Sequence, residues 1–105
     1  MRVFLTEDLR ELYQTGWNKK YKNVARTPDL IHGFIRAIDE MMAVSNTREL
    51  MSLSHLHYEK LKYQYSGYSS VRLSNRHVHR LLFTESEDEI EVRLIKIDDT
   101  HYGNK

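Results

Sequence analysis

The stretch Ser66-Gly67-Tyr68-Ser69-Ser70-Val71-Arg72-Leu73 decides how this chain is read. From Tyr68 onward its residues alternate, with Val71 and Leu73 on one side and Tyr68, Ser70 and Arg72 on the other. Extended backbone points successive side chains to opposite faces, so this is the pattern of a strand with one face buried. Val78 to Thr84 repeats it, with Leu81 and Phe83 opposite Arg80. The acidic run Glu85 to Glu89 reads as a hairpin loop. Ile90 to Ile97 reads as a third strand, and its apolar parity shifts near Leu94-Ile95, which predicts a β-bulge.

The apolar side of such strands needs a cover, and the upstream sequence supplies helices. Thr27-Pro28 reads as an N-cap followed by proline at the first helical position. Ile31, Phe34, Ile35, Ile38, Met41 and Met42 then form an apolar stripe at helical spacing, in a core helix expected to end near Ser45-Asn46. A short helical turn from Thr47 is expected to carry Leu50 and Leu53 inward. Further upstream, Arg2 to Leu5 reads as a first strand, Thr6 as an N-cap and Gly16 as a helix stop. Leu5, Leu9, Leu12 and Tyr13 keep helical spacing between them. Lys19, Lys20, Lys22 and Arg26, with Trp17 and Tyr21, read as a basic connector. The expected architecture is α+β, a single domain over residues 1–105 with N-terminal helices on one face of a small, mainly antiparallel twisted sheet. Helices on one face leave the other open, and there the reading places Arg72 and Arg80.

Bulk properties narrow the function classes. The chain has 105 residues, 40% apolar and 30% charged, with a formal net charge of only +1. Affinity for nucleic acid must therefore come from local clustering of charge. The absence of cysteine excludes disulfides, thiolate zinc sites and a cysteine nucleophile. His55-x-His57 and His77-x-His79 each pair two imidazoles, but no third ligand at clear spacing accompanies them, so no metal is expected. Glu7-Asp8 interrupts the start before any signal-length apolar run, and no stretch approaches the ~20 apolar residues of a membrane span. A soluble, cytoplasmic protein is expected.

Leu56-His57-Tyr58-Glu59-Lys60-Leu61-Lys62, the Ser66–Leu73 stretch, His79-Arg80-Leu81-Leu82-Phe83 with its acidic turn, and the pair His101-Tyr102 together resemble the signature of RelE-superfamily toxins. The YoeB and HigB branches are the nearest. The resemblance covers Leu56 to Tyr102 and implies a RelE-like, microbial-ribonuclease-like fold. It also implies a cofactor-free endoribonuclease that cuts messenger RNA in the ribosomal A site. An antitoxin encoded alongside would silence it, and the complex would bind operator DNA through the antitoxin. Position by position, the resemblance makes Glu59 the general base, Arg72 and Arg80 phosphate-binding arginines on adjacent strands, and Lys62 a substrate-facing lysine. His101 becomes the acid and Tyr102 its companion. The chain departs from this pattern in a longer Ser74-Asn75-Arg76-His77 turn, a longer N-terminal half, and three residues after Tyr102.

The residue types suit that chemistry. The 2′-hydroxyl of RNA can displace the 5′-oxygen at phosphorus if a base takes its proton and an acid protonates the leaving oxygen. Cations must stabilise the charge that builds on the phosphoryl oxygens. Arginine is suited to this because its planar fork holds two phosphate oxygens and stays charged. Ordinary glutamate, with a pKa of about 4.3, is a weak base at neutral pH, while histidine at about 6.5 is better placed. Glu59 and His101 therefore stay interchangeable as base and acid at this stage. Lysines interleaved with tyrosines over Tyr58 to Tyr68 suit single-stranded RNA, and Lys60, Lys62, Tyr68 and Arg76 are the residues expected to bind it. The lysines near Lys19 to Lys22 are candidates for ribosomal RNA. Two other readings stand beside the ribosome-dependent enzyme. One is a non-enzymatic module on the same fold, such as a ParE-like gyrase inhibitor. The other is a ribonuclease that works without ribosomes. Plainer still, both arginines could pair with the acidic loop Glu85 to Glu89.

Overall fold

Thr6 and Gly16 bracket the first helix as their chemistry requires. The Thr6 hydroxyl accepts from the Leu9 N–H, and Gly16, at φ 78°, donates its N–H to the Leu12 carbonyl. In the computed structural model, which describes residues 1–99, this helix is α1 (Glu7–Thr15) and follows strand β1 (Arg2–Phe4). The basic connector is not a loop. It forms a 3₁₀ turn (Lys19–Tyr21) and a short helix α2 (Lys22–Arg26). Asn18 accounts for this, because its buried amide donates to Asp8 and Glu11 while its oxygen accepts from the Lys20 N–H. With its polar atoms partnered in this way, a buried Asn closes the α1–α2 turn at little cost.

α3 (Pro28–Ala43) is the core helix, shorter at its end than the expected Ser45-Asn46 boundary. Thr27 stands at the N-cap, but its hydroxyl donates back to the Asn23 carbonyl, so Pro28 rather than a side-chain cap starts the helix. Phe34, Ile38 and Met41 are fully buried, whereas Met42 is exposed. The expectation that Met42 belongs to the core is thus corrected, since it lies one residue beyond the buried stripe. Gly33 fits α3 against the sheet. A Cβ added there would stand 1.9 Å from the Leu73 carbonyl oxygen. α4 (Thr47–Met51) follows, capped by Asn46 and burying Leu50.

The five strands β1, β2 (Glu59–Lys60), β3 (Ser69–Arg72), β4 (Arg80–Glu85) and β5 (Glu91–Asp98) form one sheet in the order β1-β5-β4-β3-β2. β1 runs parallel to β5 and the other pairs are antiparallel. This is the expected α+β architecture. Its core joins Leu9, Leu12, Phe34 and Ile38 to Val71, Leu81, Phe83 and Leu94. Leu82 pairs with Lys96 and Phe83 with Leu94, so Ile95 is the extra residue of a bulge where the parity shift placed one. β4 starts two residues after the expected Val78 and ends one residue past Thr84. Glu85 is a strand residue paired with Val92, and its carboxylate accepts hydroxyl hydrogen bonds from Tyr58 and Ser69.

The far side of the sheet is not wholly open. Leu61 and Leu82 are buried yet lie outside the helix-side core, and the Lys96 ammonium sits 5.8 Å above the Tyr65 ring. The 59–68 segment therefore folds back over part of that face and gives it a small apolar floor. Among the described residues no helix is long and apolar enough to cross a membrane.

Candidate functional site

The strand registers assemble the site. Arg72 stands opposite Arg80, Arg80 opposite Asp98, and Glu59 opposite Ser70. Partners in register share a face, so Glu59, Ser70, Arg72, Arg80 and Asp98 all lie away from the helices, opposite Val71 and Leu81. Arg80 is the buried centre. Its Nε donates to the Ser70 hydroxyl at 2.6 Å, and its Nη2 donates to the His57 carbonyl. The same guanidinium lies 3.7 Å from Glu59 Oε1, with the Arg80 side chain 9% exposed and that of Glu59 52%. Arg80 thus lies on the expected face, with its Nε and Nη2 turned inward to hold the loop that leads to Glu59.

Arg72 has the complementary character. It is half-buried, its Nε is buried without a hydrogen-bond partner, and no described carboxylate lies within ion-pair distance. The expectation that the arginines pair with the acidic loop is not met, since Glu85 takes Tyr58 and Ser69, and Glu89 takes Arg48. Two residues around Glu59 hold left-handed backbone, His57 at φ 48° and Tyr63 at φ 58°. Such conformations are uncommon for residues with a Cβ and persist where the surroundings impose them. At His57 the reason is visible, because its carbonyl is turned toward Arg80.

No protein-family model matches the sequence, and no curated protein matches it either. Solved structures do. A YoeB/ParE toxin from Agrobacterium tumefaciens is similar over 96% of this chain and 100% of its own, at 17% identity and a TM-score of 0.54. A YoeB-YefM complex from Staphylococcus aureus is similar over 97% and 98%, at 21% identity and a TM-score of 0.50. A heterotetrameric YoeB-YefM complex from the same organism gives the same coverage and TM-score at 20% identity. The fold is that of the YoeB toxins.

Within this YoeB-like fold the other expected site residues are scattered. Tyr68 lies half-buried just before β3, on the parity of Ser70 and Arg72. Lys60 is exposed but pairs with Ser69, which puts it on the opposite face from Glu59. Lys62 is exposed at the cap of the following 3₁₀ turn. Arg76 is not brought to the site. It lies in the β3–β4 connection with its guanidinium 3.5 Å from Asp29, at the start of α3. His101 and Tyr102 lie outside the described residues. The sequence reading missed three contributors. Ser70 anchors Arg80, His57 presents its carbonyl, and Tyr63 is an aromatic 88% exposed in the segment that follows Glu59. Only Tyr63 carried a signal, as one member of the tyrosine-lysine interleave.

Proposed function

We propose that this chain is the toxin of a toxin–antitoxin pair, an endoribonuclease that cuts messenger RNA on the ribosome by attack of the RNA 2′-hydroxyl. The observation that carries the reading is the Glu59 carboxylate 3.7 Å from Arg80, whose strand partner Arg72 lies on the same polar face of a YoeB-like sheet. Glu59, half-exposed and held beside Arg80, takes the 2′-hydroxyl proton. The 2′-oxygen forms a bond to phosphorus while the bond to the 5′-oxygen breaks, leaving a 2′,3′-cyclic phosphate and a 5′-hydroxyl. His101 supplies the proton to the leaving oxygen, with Tyr102 beside it. Arg72 meets the phosphoryl oxygens with its fork, and Arg80 is a positioning residue that sets the Glu59 loop. Tyr63 and Tyr68 offer rings to RNA bases, and the exposed Lys62 meets its phosphates.

The fold supports an antitoxin as the partner. Two of the similar structures are toxins bound to the antitoxin YefM. An antitoxin segment lying on the polar face here would occlude Arg72 and Glu59, and the complex would reach operator DNA through the antitoxin. The toxin would act in the cytoplasm, where its ribosomal target is found. A second reading is favoured by one observation, the inward commitment of the Arg80 donors. That would suit a non-enzymatic module of the ParE kind.

Induction of the wild type, Glu59→Gln and Arg72→Ala from a tightly controlled promoter separates the two. The enzyme reading expects growth arrest with cleaved transcripts for the wild type, and neither for the variants. Arrest with intact transcripts and altered plasmid supercoiling supports the module instead.

A further inference from the structure

A second charged concavity lies on the helix side of the sheet, away from Glu59 and Arg72. It is a cleft of about 420 Å³ between the 3₁₀ turn with the start of α2 and the adjoining ends of β4 and β5. Lys19, Lys20, Lys22 and Asn23 line one wall, and His79 and Asp99 the other. Its volume is that of sites that hold small ligands. Three lysines thus share the lining with one acidic residue. Among the described residues none of the three lysines has a carboxylate within 4.0 Å. A solvated lysine run would account for the charge but not for the opposite wall. There the His79 Nδ1 is buried and has no hydrogen-bond partner among the described residues, a state it shares with Thr47 Oγ1 and Arg72 Nε.

We propose that this cleft is a phosphate-binding site, taking the phosphoryl group of a ribonucleotide between the Lys19–Lys22 ammonium groups and the His79 imidazole. Lysine ammonium groups are compact, mobile charges that adapt to a phosphate entering from solvent. His79 supplies a directional donor once it is protonated. The charged groups that face it are Asp99, His77 and the three lysines. Burial holds the free imidazole below its ordinary pKa, and a bound anion would oppose that shift. The site stands apart from the nuclease reading, because its readout is binding and Glu59→Gln leaves it intact.

The test is a titration of the full chain followed by amide and histidine-ring NMR, with inorganic phosphate, adenosine 5′-monophosphate and a short oligouridylate as probes. Chloride at equal ionic strength is the control. Saturable shifts are expected at residues 19–23 and at the His79 ring, together with a rise in the His79 pKa on binding. Lys20→Ala/Lys22→Ala should weaken the binding by about tenfold or more, as loss of charge-assisted contacts predicts. Saturation by phosphate and mononucleotide assigns the site to a free phosphate ester. Saturation by the oligonucleotide alone assigns it to an RNA strand. Either outcome supports the proposal. No saturable shift with any probe, or equal affinity in the lysine variant, overturns it.

Discussion

Arg80 reaches Glu59 from inside the protein, a nearly buried guanidinium 3.7 Å from a half-exposed carboxylate. The pair is asymmetric. Water screens the glutamate, so the attraction itself contributes little, while Arg80 is also committed to Ser70 and the His57 carbonyl. Replacing Arg80 by Met should therefore act first on folding. It leaves the Ser70 hydroxyl and the His57 carbonyl without their donor, at a cost of ~2–4 kcal/mol. Denaturant unfolding measures the loss. Glu59→Gln in the same assay should change stability by less than about 0.5 kcal/mol, as a half-exposed position does.

Gly33 should tolerate no side chain. The Leu73 carbonyl occupies the place of its Cβ, and that oxygen belongs to backbone at the end of β3 that cannot swing aside. Gly33→Ala usually gains helix propensity, but here the clash should dominate and destabilise the fold by ~1–3 kcal/mol or more. Thermal unfolding of the variant, beside Gly16→Ala as a helix-stop control, checks the sign.

Tyr58 should be the last tyrosine to ionise. Burial raises its pKa, and the hydrogen bond it donates to Glu85 raises it further. Its folded pKa lies above the unfolded value of 10.0, so its contribution to stability is complete below pH 10 and falls as pH rises beyond it. Absorbance titration should show a late phenolate component that Tyr58→Phe abolishes. The same variant should lose ~1–2 kcal/mol at neutral pH.

His79 carries the opposite dependence. Burial, reinforced by His77 and opposed by Asp99, holds its pKa below the ordinary 6.5. Between the folded and unfolded values the unfolded chain binds more protons, so stability falls as pH drops below 6.5 and levels off once the folded pKa is passed. His79→Gln should flatten that limb of the stability–pH curve, a measurement made by urea unfolding between pH 7.5 and about 5.

Much of this molecule is legible in its sequence, because strand alternation and helical stripes report directly on burial. The Val71/Leu73 parity, the Thr6 and Gly16 boundaries of α1 and the bulge at Ile95 all follow from local pattern. The role of Arg80 does not. An arginine between apolar residues reads as the solvent side of a strand. Here it is buried by a long-range partner, the His57 carbonyl, exposed to it through a left-handed turn that no local pattern announces. Lys60 and Glu59 are adjacent in sequence, yet a single strand step sends them to opposite faces. Arg76 sits in a turn whose path depends on Asp29, on the far helix. Composition identified a basic connector but not its helical form, which depends on Asn18 finding Asp8 and Glu11.

The most direct measurement is the chemistry of the ends left on messenger RNA in a purified translation reaction. Wild-type protein should leave a 2′,3′-cyclic phosphate or its opened 3′-phosphate on the upstream fragment and a 5′-hydroxyl on the downstream one. Glu59→Gln should slow that cleavage by ~10²–10⁴-fold, and Arg72→Ala by ~10²–10³-fold, with folding intact in both. Intact message with the wild type, fragments ending in a 3′-hydroxyl and 5′-phosphate, or variants that cut at the wild-type rate would contradict the account.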